Sequence, residues 1–205
     1  PTTTSARSDS SSTDSKTIST NCTVQNDGGL TLSNSGTSTL TITSGGTLQA
    51  NDYSSKPNSY AITLKAQNSD TRTLEKLINE GFIKGKIGIE NGDGGFSGTI
   101  TVKTFENKKT IDGHIYMGLW QGNGGTISIE NFNNAGTITM TNNGDGNGVI
   151  YFEGTTHIKT FKNTGTIESN NNKNSITVKA KNSQTPILEN FINDGTIKGK
   201  IGIEN

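Results

Sequence analysis

The sequence predicts an all-β fold, a right-handed parallel β-helix with coils of about 28 residues. Three observations predict it. First, an aromatic-x-Asn-x-Gly-Thr-Ile motif recurs, with anchors at Leu77, Phe105, Phe132, Phe161 and Phe191 spaced 27 to 30 residues apart. Second, short segments between the anchors alternate aliphatic with Thr or Ser, as strands do: Ile62-x-Leu64, Ile100-x-Val102, Ile127-x-Ile129 and Ile176-x-Val178. Third, apolar residues make up only 27% of the chain, low for a globular core, yet they fall at periodic positions. A narrow solenoid core needs few apolar residues, and a disordered chain has no reason to space them.

Residues 1–23 open the chain as a flexible Ser/Thr-rich tail by composition, and the β-helix repeat domain is expected over residues 24–205. Leu30-x-Leu32 and Leu40-x-Ile42 read as its first, atypical strands. From Ile62 the repeat is regular, and Ile62–Asn91 matches Ile176–Asn205 at 21 of 30 positions. Leu74, Leu77 and Ile78 have helical spacing, but the aligned segments in other coils keep strand alternation, so a strand is expected there.

Each unit implies a bend and a corner. In Ile100-x-Val102-x-x-Phe105 the alternation slips by one residue, which flips the face of a straight strand, so the chain must bend before the aromatic. Asn-x-Gly follows, and both residues tolerate left-handed backbone, so a tight corner is expected. Thr-Ile then starts the next strand.

Stacking such coils places like residues above one another. Asn79, Asn107, Asn134, Asn163 and Asn193 are expected to form an amide ladder at the corner. Phe105, Phe132, Phe161 and Phe191, with Ile83, Ile111, Ile138, Ile167 and Ile197, are expected to fill the interior. About six coils fit from Val24 onward, a rod of roughly 30 Å at strand spacing.

With 18 positive and 18 negative side chains, no basic excess points to nucleic acid or an anionic membrane surface. A lone cysteine, Cys22, makes no internal disulfide. No apolar run has the length of a membrane helix or signal peptide, and the abrupt ends suggest a piece of a longer repeat protein.

The repeat residues resemble the passenger domains of bacterial autotransporters (type V secretion). Phe-x-Asn-x-Gly-Thr-Ile with Thr/Asn/Gly-rich flanks is similar to large surface proteins of the epsilon group of proteobacteria, some of which assemble into rings or arrays. Two-partner secretion exoproteins are similar in composition. The resemblance implies an extracellular location at the bacterial cell surface, anchored through a membrane barrel outside this sequence. It implies host or neighbouring-cell surface molecules, or further copies of the chain, as partners.

Catalytic sets are not evident, and no cofactor is expected. There is no Gly-Asp-Ser-Gly nucleophile context, and His114 and His157 lie in different coils, as ordinary surface or turn residues do. Asp93, Asp145 and Asp194 sit in Gly/Asn turns, where Asp belongs structurally. Asn91-Gly92-Asp93-Gly94 and Asn143-Gly144-Asp145-Gly146 lack the ligand number and spacing of calcium loops, so no metal site is expected.

The segment that breaks the repeat is His114–Trp120. Alternation from Ile111 places Ile115, Met117 and Leu119 inside, and His114, Tyr116 and Trp120 outside as candidate binding residues. The expected function is therefore a non-enzymatic, rigid display stalk or adhesin. A subunit that self-assembles into a surface ring or layer is the alternative, and a glycan-cleaving β-helix enzyme is less favoured.

Overall fold

The computed structural model describes residues 15–24, 29–31, 37–56, 58–66, 70–91, 98–119, 125–141, 148–170 and 173–204. The chain winds through three parallel sheets in turn. The first coil holds β1 (Ser15–Ile18), β2 (Asn21–Val24) and β3 (Leu30–Thr31), and the second holds β4 (Thr37–Ile42), β5 (Thr47–Ala50) and β6 (Tyr60–Leu64). The third holds β7 (Thr71–Asn79), β8 (Phe82–Lys84) and β9 (Lys86–Asn91), and the fourth β10 (Thr99–Asn107), β11 (Thr110–Asp112) and β12 (Ile115–Leu119). Then come β13 (Thr126–Asn134), β14 (Thr137–Met140) and β15 (Ile150–Glu153), followed by β16 (Thr156–Asn163), β17 (Thr166–Ser169) and β18 (Asn174–Lys179). The last coil holds β19 (Ile187–Asn193), β20 (Thr196–Lys198) and β21 (Lys200–Glu204).

Every third strand pairs with the one before it. The strands that open each coil form one seven-stranded sheet from β1 to β19, the middle strands a second from β2 to β20, and the closing strands a third from β3 to β21. All pairings between these strands are parallel, so the fold is a parallel β-helix of about six turns. Pairing starts at Ser15, which aligns with Thr39, so the sheets begin ahead of Val24. The rest of the expected tail, residues 1–14, lies outside the described residues.

The core is a set of columns that follow the register. One runs Leu40, Leu77, Phe105, Phe132, Phe161, Phe191. Another runs Leu48, Ile83, Ile111, Ile138, Ile167, Ile197. A third runs Ile62, Ile87, Ile115, Ile150, Ile176, Ile201. Phe105, Phe132 and Phe161 stack ring on ring at 4.5 and 4.7 Å, near parallel. Thr71–Asn79 is a strand, β7, as the aligned repeats require.

The expected bend before the aromatic is a stacked irregularity inside a continuous strand. In β10 both Val102 and Phe105 are buried, while Lys103 and Thr104 between them face outward. The same outward pair recurs at Glu130 and Asn131 in β13. The opening strands from β7 to β19 share the kink at the same place, so parallel pairing among them survives it, while β4 meets β7 through a register shift at Ser38/Thr39.

The corner forms as expected, for a different reason. The motif glycines do not adopt left-handed backbone; Gly85, Gly154 and Gly199 do, at other corners. A Cβ on Gly165 would collide with the carbonyl oxygen of Gly136 in the coil below, and one on Gly195 with that of Gly165. Close stacking of corner backbones, rather than φ, selects glycine here.

The amide ladder is present. Each Nδ2 donates to the next Oδ1: Asn79 to Asn107 and Asn107 to Asn134 at 2.8 Å, then Asn134 to Asn163 and Asn163 to Asn193 at 2.7 Å. The ladder closes at its top on a partly solvated rung. The repeat pattern places Phe191 and Asn193 inside, yet they are exposed, as are Ile201 and Ile203 of the same coil, Ile203 by 80%. No described coil stacks on β19, β20 and β21, so these residues keep contacts on one side only; Phe191 still stacks on Phe161 at 5.2 Å.

Candidate functional site

The middle of the sheet of closing strands is buried on both faces. All six residues of β9 and all four of β15 are buried. Inward positions are aliphatic or aromatic; outward positions carry a chain of polar and aromatic side chains. This overturns the expectation that His114 and Tyr116 project into solvent. They point away from the core, as alternation requires, but His114 is only 2% exposed and Tyr116 only 5%. Trp120 lies outside the described residues, as do Asp93 and Asp145.

Register builds the cluster. Tyr116 of β12 aligns with Tyr151 of β15, and their rings stack at 5.5 Å. Two glycines make room for side chains to lie flat over the sheet. A Cβ on Gly118 would come within 2.8 Å of Glu153 Cβ, and one on Gly88 within 2.6 Å of the Tyr60 ring. Glu153 therefore folds back over β12, where it accepts hydrogen bonds from Tyr116 Oη at 2.5 Å and Tyr151 Oη at 3.2 Å. Lys181 Nζ completes its shell at 3.0 Å.

A second centre lies on the third coil. Glu90 accepts from Tyr60 Oη at 2.7 Å and pairs with Lys86 at 3.5 Å and Lys65 at 3.6 Å. Lys86 Nζ also donates to Tyr60 Oη at 2.8 Å and sits over the Tyr116 ring at 4.9 Å, joining the two centres. His114 closes the edge. Its Nδ1 lies 2.6 Å from the Gly148 carbonyl, and a carbonyl only accepts, so Nδ1 carries the proton.

These contacts set the chemistry. Burial, and then the Glu153 carboxylate, push the Tyr116 hydroxyl well above the ordinary tyrosine range; burial and Glu153 do the same to Tyr151. Both tyrosines stay protonated donors. Each buried carboxylate has both lysine and tyrosine partners. The arrangement is that of a satisfied polar network that holds segments in place. Among the described residues no group of three or more His, Cys, Asp or Glu could hold a metal ion.

Of the sequence-derived candidates, the fold brings His114 and Tyr116 together, with rings 6.1 Å apart. His157 is elsewhere, half-exposed on the sheet of opening strands and paired with Glu189 at 2.7 Å. Sequence reasoning missed Tyr60, Lys86, Glu90, Tyr151, Glu153 and Lys181. A signal for two of them was present, since Ile150-Tyr-Phe-Glu153 aligns on Ile115-Tyr-Met-Gly118. Comparison with family models, curated proteins and solved structures finds no match for this chain.

Proposed function

We propose that this chain is a non-enzymatic display module, a rigid stretch of a bacterial cell-surface β-helical protein of the autotransporter-passenger kind, acting in adhesion. The observation that carries the reading is the unbroken register of the Asn and Phe columns from coil to coil. Such columns fix coil spacing near 4.8 Å and hold outward side chains at set distances along a rod. The saturated state of the Glu90 and Glu153 centres favours a structural role over a reactive one. Partners under this reading are host or neighbouring-cell surface molecules.

Cell binding tests it. Fluorescently labelled chain should bind epithelial or bacterial cells saturably, and heat-unfolded chain should not. Light scattering in parallel reads the assembly state. Absence of binding with a monomeric rod overturns adhesion; a closed multimer without cell binding replaces it with the surface-ring or surface-layer function.

A further inference from the structure

The connections that lead from the closing strand of one coil to the opening strand of the next differ in length in one place. They span 65–70, 92–98, 120–125 and 180–186, but only two residues, 154–155, join β15 to β16. Gly154, at φ 65°, makes that tight turn. That short corner lies beside the longer 180–186 connection, and the step between them forms a notch. A cavity of about 420 Å³ occupies this place, lined by Thr126, Thr155, His157, Gln184, Thr185 and Ile187.

We propose that this notch is a binding site for a neutral glycan chain. The inference deepens the adhesive reading and rests on it for its biological setting. The volume lies within the range of small-ligand sites. The lining offers hydroxyls, a side-chain amide and an imidazole, which match the donors and acceptors of sugar hydroxyls. Ile187 contributes an apolar side chain to the lining, suited to the C–H side of a pyranose ring. The charged groups nearby already have partners: Glu189 meets His157 Nε2 at 2.7 Å, and Lys181 meets Glu153 at 3.0 Å. A neutral ligand is thus favoured over a uronate or sulfated chain. The floor strand β16 pairs with β13 on one side and β19 on the other, so the floor itself offers an extended peptide no unpaired strand groups.

The notch is built rather than incidental. Its floor is tied down by Thr155 Oγ1, which donates to the Gly125 carbonyl at 2.7 Å, and by the buried Thr156 hydroxyl, which donates to the Met117 and Glu153 carbonyls. One wall is a tight turn in which Lys181 and Gln184 exchange backbone hydrogen bonds at 2.8 and 2.9 Å, with Asn182 and Ser183 at positive φ. The Lys181 ammonium pins that turn to buried Glu153. The polar network under the sheet therefore positions the wall of the site, and Lys181 is a positioning residue.

Calorimetric titration of the folded chain with neutral oligosaccharides (glucan, mannan, galactan and chitin fragments) and acidic ones (pectate, hyaluronate) tests this. At least one neutral series should bind saturably, with acidic chains weaker. His157→Ala and Gln184→Ala should each weaken binding about tenfold, and Thr155→Trp, which fills the notch, should abolish it while Thr104→Trp does not. Melting curves confirm that each variant is folded, and Lys181→Met should lower affinity without removing any lining group. Failure of every neutral glycan, stronger binding of acidic chains, or binding unchanged in folded Thr155→Trp overturns the proposal. If the parent and Thr155→Trp adhere to cells equally, the notch falls and adhesion stands. If glycan binds in the notch but the parent ignores cells, the notch stands and adhesion falls.

Discussion

Asn134 Nδ2 donates to Asn163 Oδ1 at 2.7 Å and to the Thr166 carbonyl at 3.2 Å, while its own Oδ1 accepts from Asn107 at 2.8 Å. One buried amide thus serves the coil below, the coil above and the next corner. Asn134→Ala removes all three bonds and leaves the Asn107 donor and the Thr166 carbonyl without this partner in a dry interior. The expected cost is about 3 kcal/mol, read as a fall in urea midpoint. Asn193→Ala, on a partly solvated rung, should cost clearly less; equal losses would remove the ladder as a source of stability.

The Phe column makes a separate prediction. Phe132 lies between Phe105 and Phe161 with both rings near parallel, and its neighbours cannot close the space because strand pairing fixes them. Phe132→Ala should cost about 4 kcal/mol, the cavity plus two lost stacking contacts. Phe132→Leu should recover much of it, since Leu77 already fills this column in the third coil. Chemical denaturation of the two variants checks the order.

Corner glycines should respond to a single methyl group. In Gly165→Ala the new Cβ meets the Gly136 carbonyl, so the coils must part at the corner, at a cost of about 2 kcal/mol. Lys109 occupies the equivalent site in the fourth coil, so a side chain is accommodated there. Lys109→Gly should therefore have little effect or stabilise the chain, and a thermal melt of both variants tests whether backbone proximity is the cause.

The columns were legible in the sequence because each core position is written several times, and averaging over coils cancels local ambiguity. The site was legible only in part. Lys86–Asn91 and Lys200–Asn205 both read Lys-Ile-Gly-Ile-Glu-Asn, yet Lys86 and Glu90 are buried in a polar network while Lys200 and Glu204 are exposed. Alternation tells which face a residue takes, not what covers that face. Cover comes from contacts such as Lys181 to Glu153 and His114 to Gly148, made by segments that do not repeat. The functional notch is likewise a difference in connection length, invisible to a search for sameness.

One buried charge breaks an aliphatic column. Arg72 aligns with Ile100, which aligns with Ile127, but is itself only 8% exposed. Its Nη2 reaches Asp70 at 3.6 Å, while Nε and Nη1 have no hydrogen-bond partner among the described residues. Desolvation of the guanidinium outweighs one long ion pair. Arg72→Ile should raise the melting temperature, by the equivalent of about 1 kcal/mol or more; a lower melting temperature would show that the guanidinium holds its segment in place.

Tyr116 and Tyr151 give the fold a pH dependence at the alkaline end. Burial, and then the Glu153 carboxylate, hold the Tyr116 proton on in the folded state, far above the ordinary tyrosine value of 10.0. In the unfolded chain the same hydroxyl ionises near that ordinary value. Above it the unfolded state binds fewer protons than the folded state, so stability falls as pH rises. The contribution is fully present below pH 10.0 and is lost progressively above it. Melting temperature measured from about pH 8 to about pH 11 should therefore be flat and then drop. Tyr53, buried near Asp112, is raised as well, so Tyr116→Phe removes one of three such groups and should make the drop shallower, although it also costs a hydrogen bond to Glu153 at every pH. An unchanged slope in the variant would mean that Tyr116 ionises at the same pH folded and unfolded, which its 2.5 Å contact with a buried carboxylate argues against.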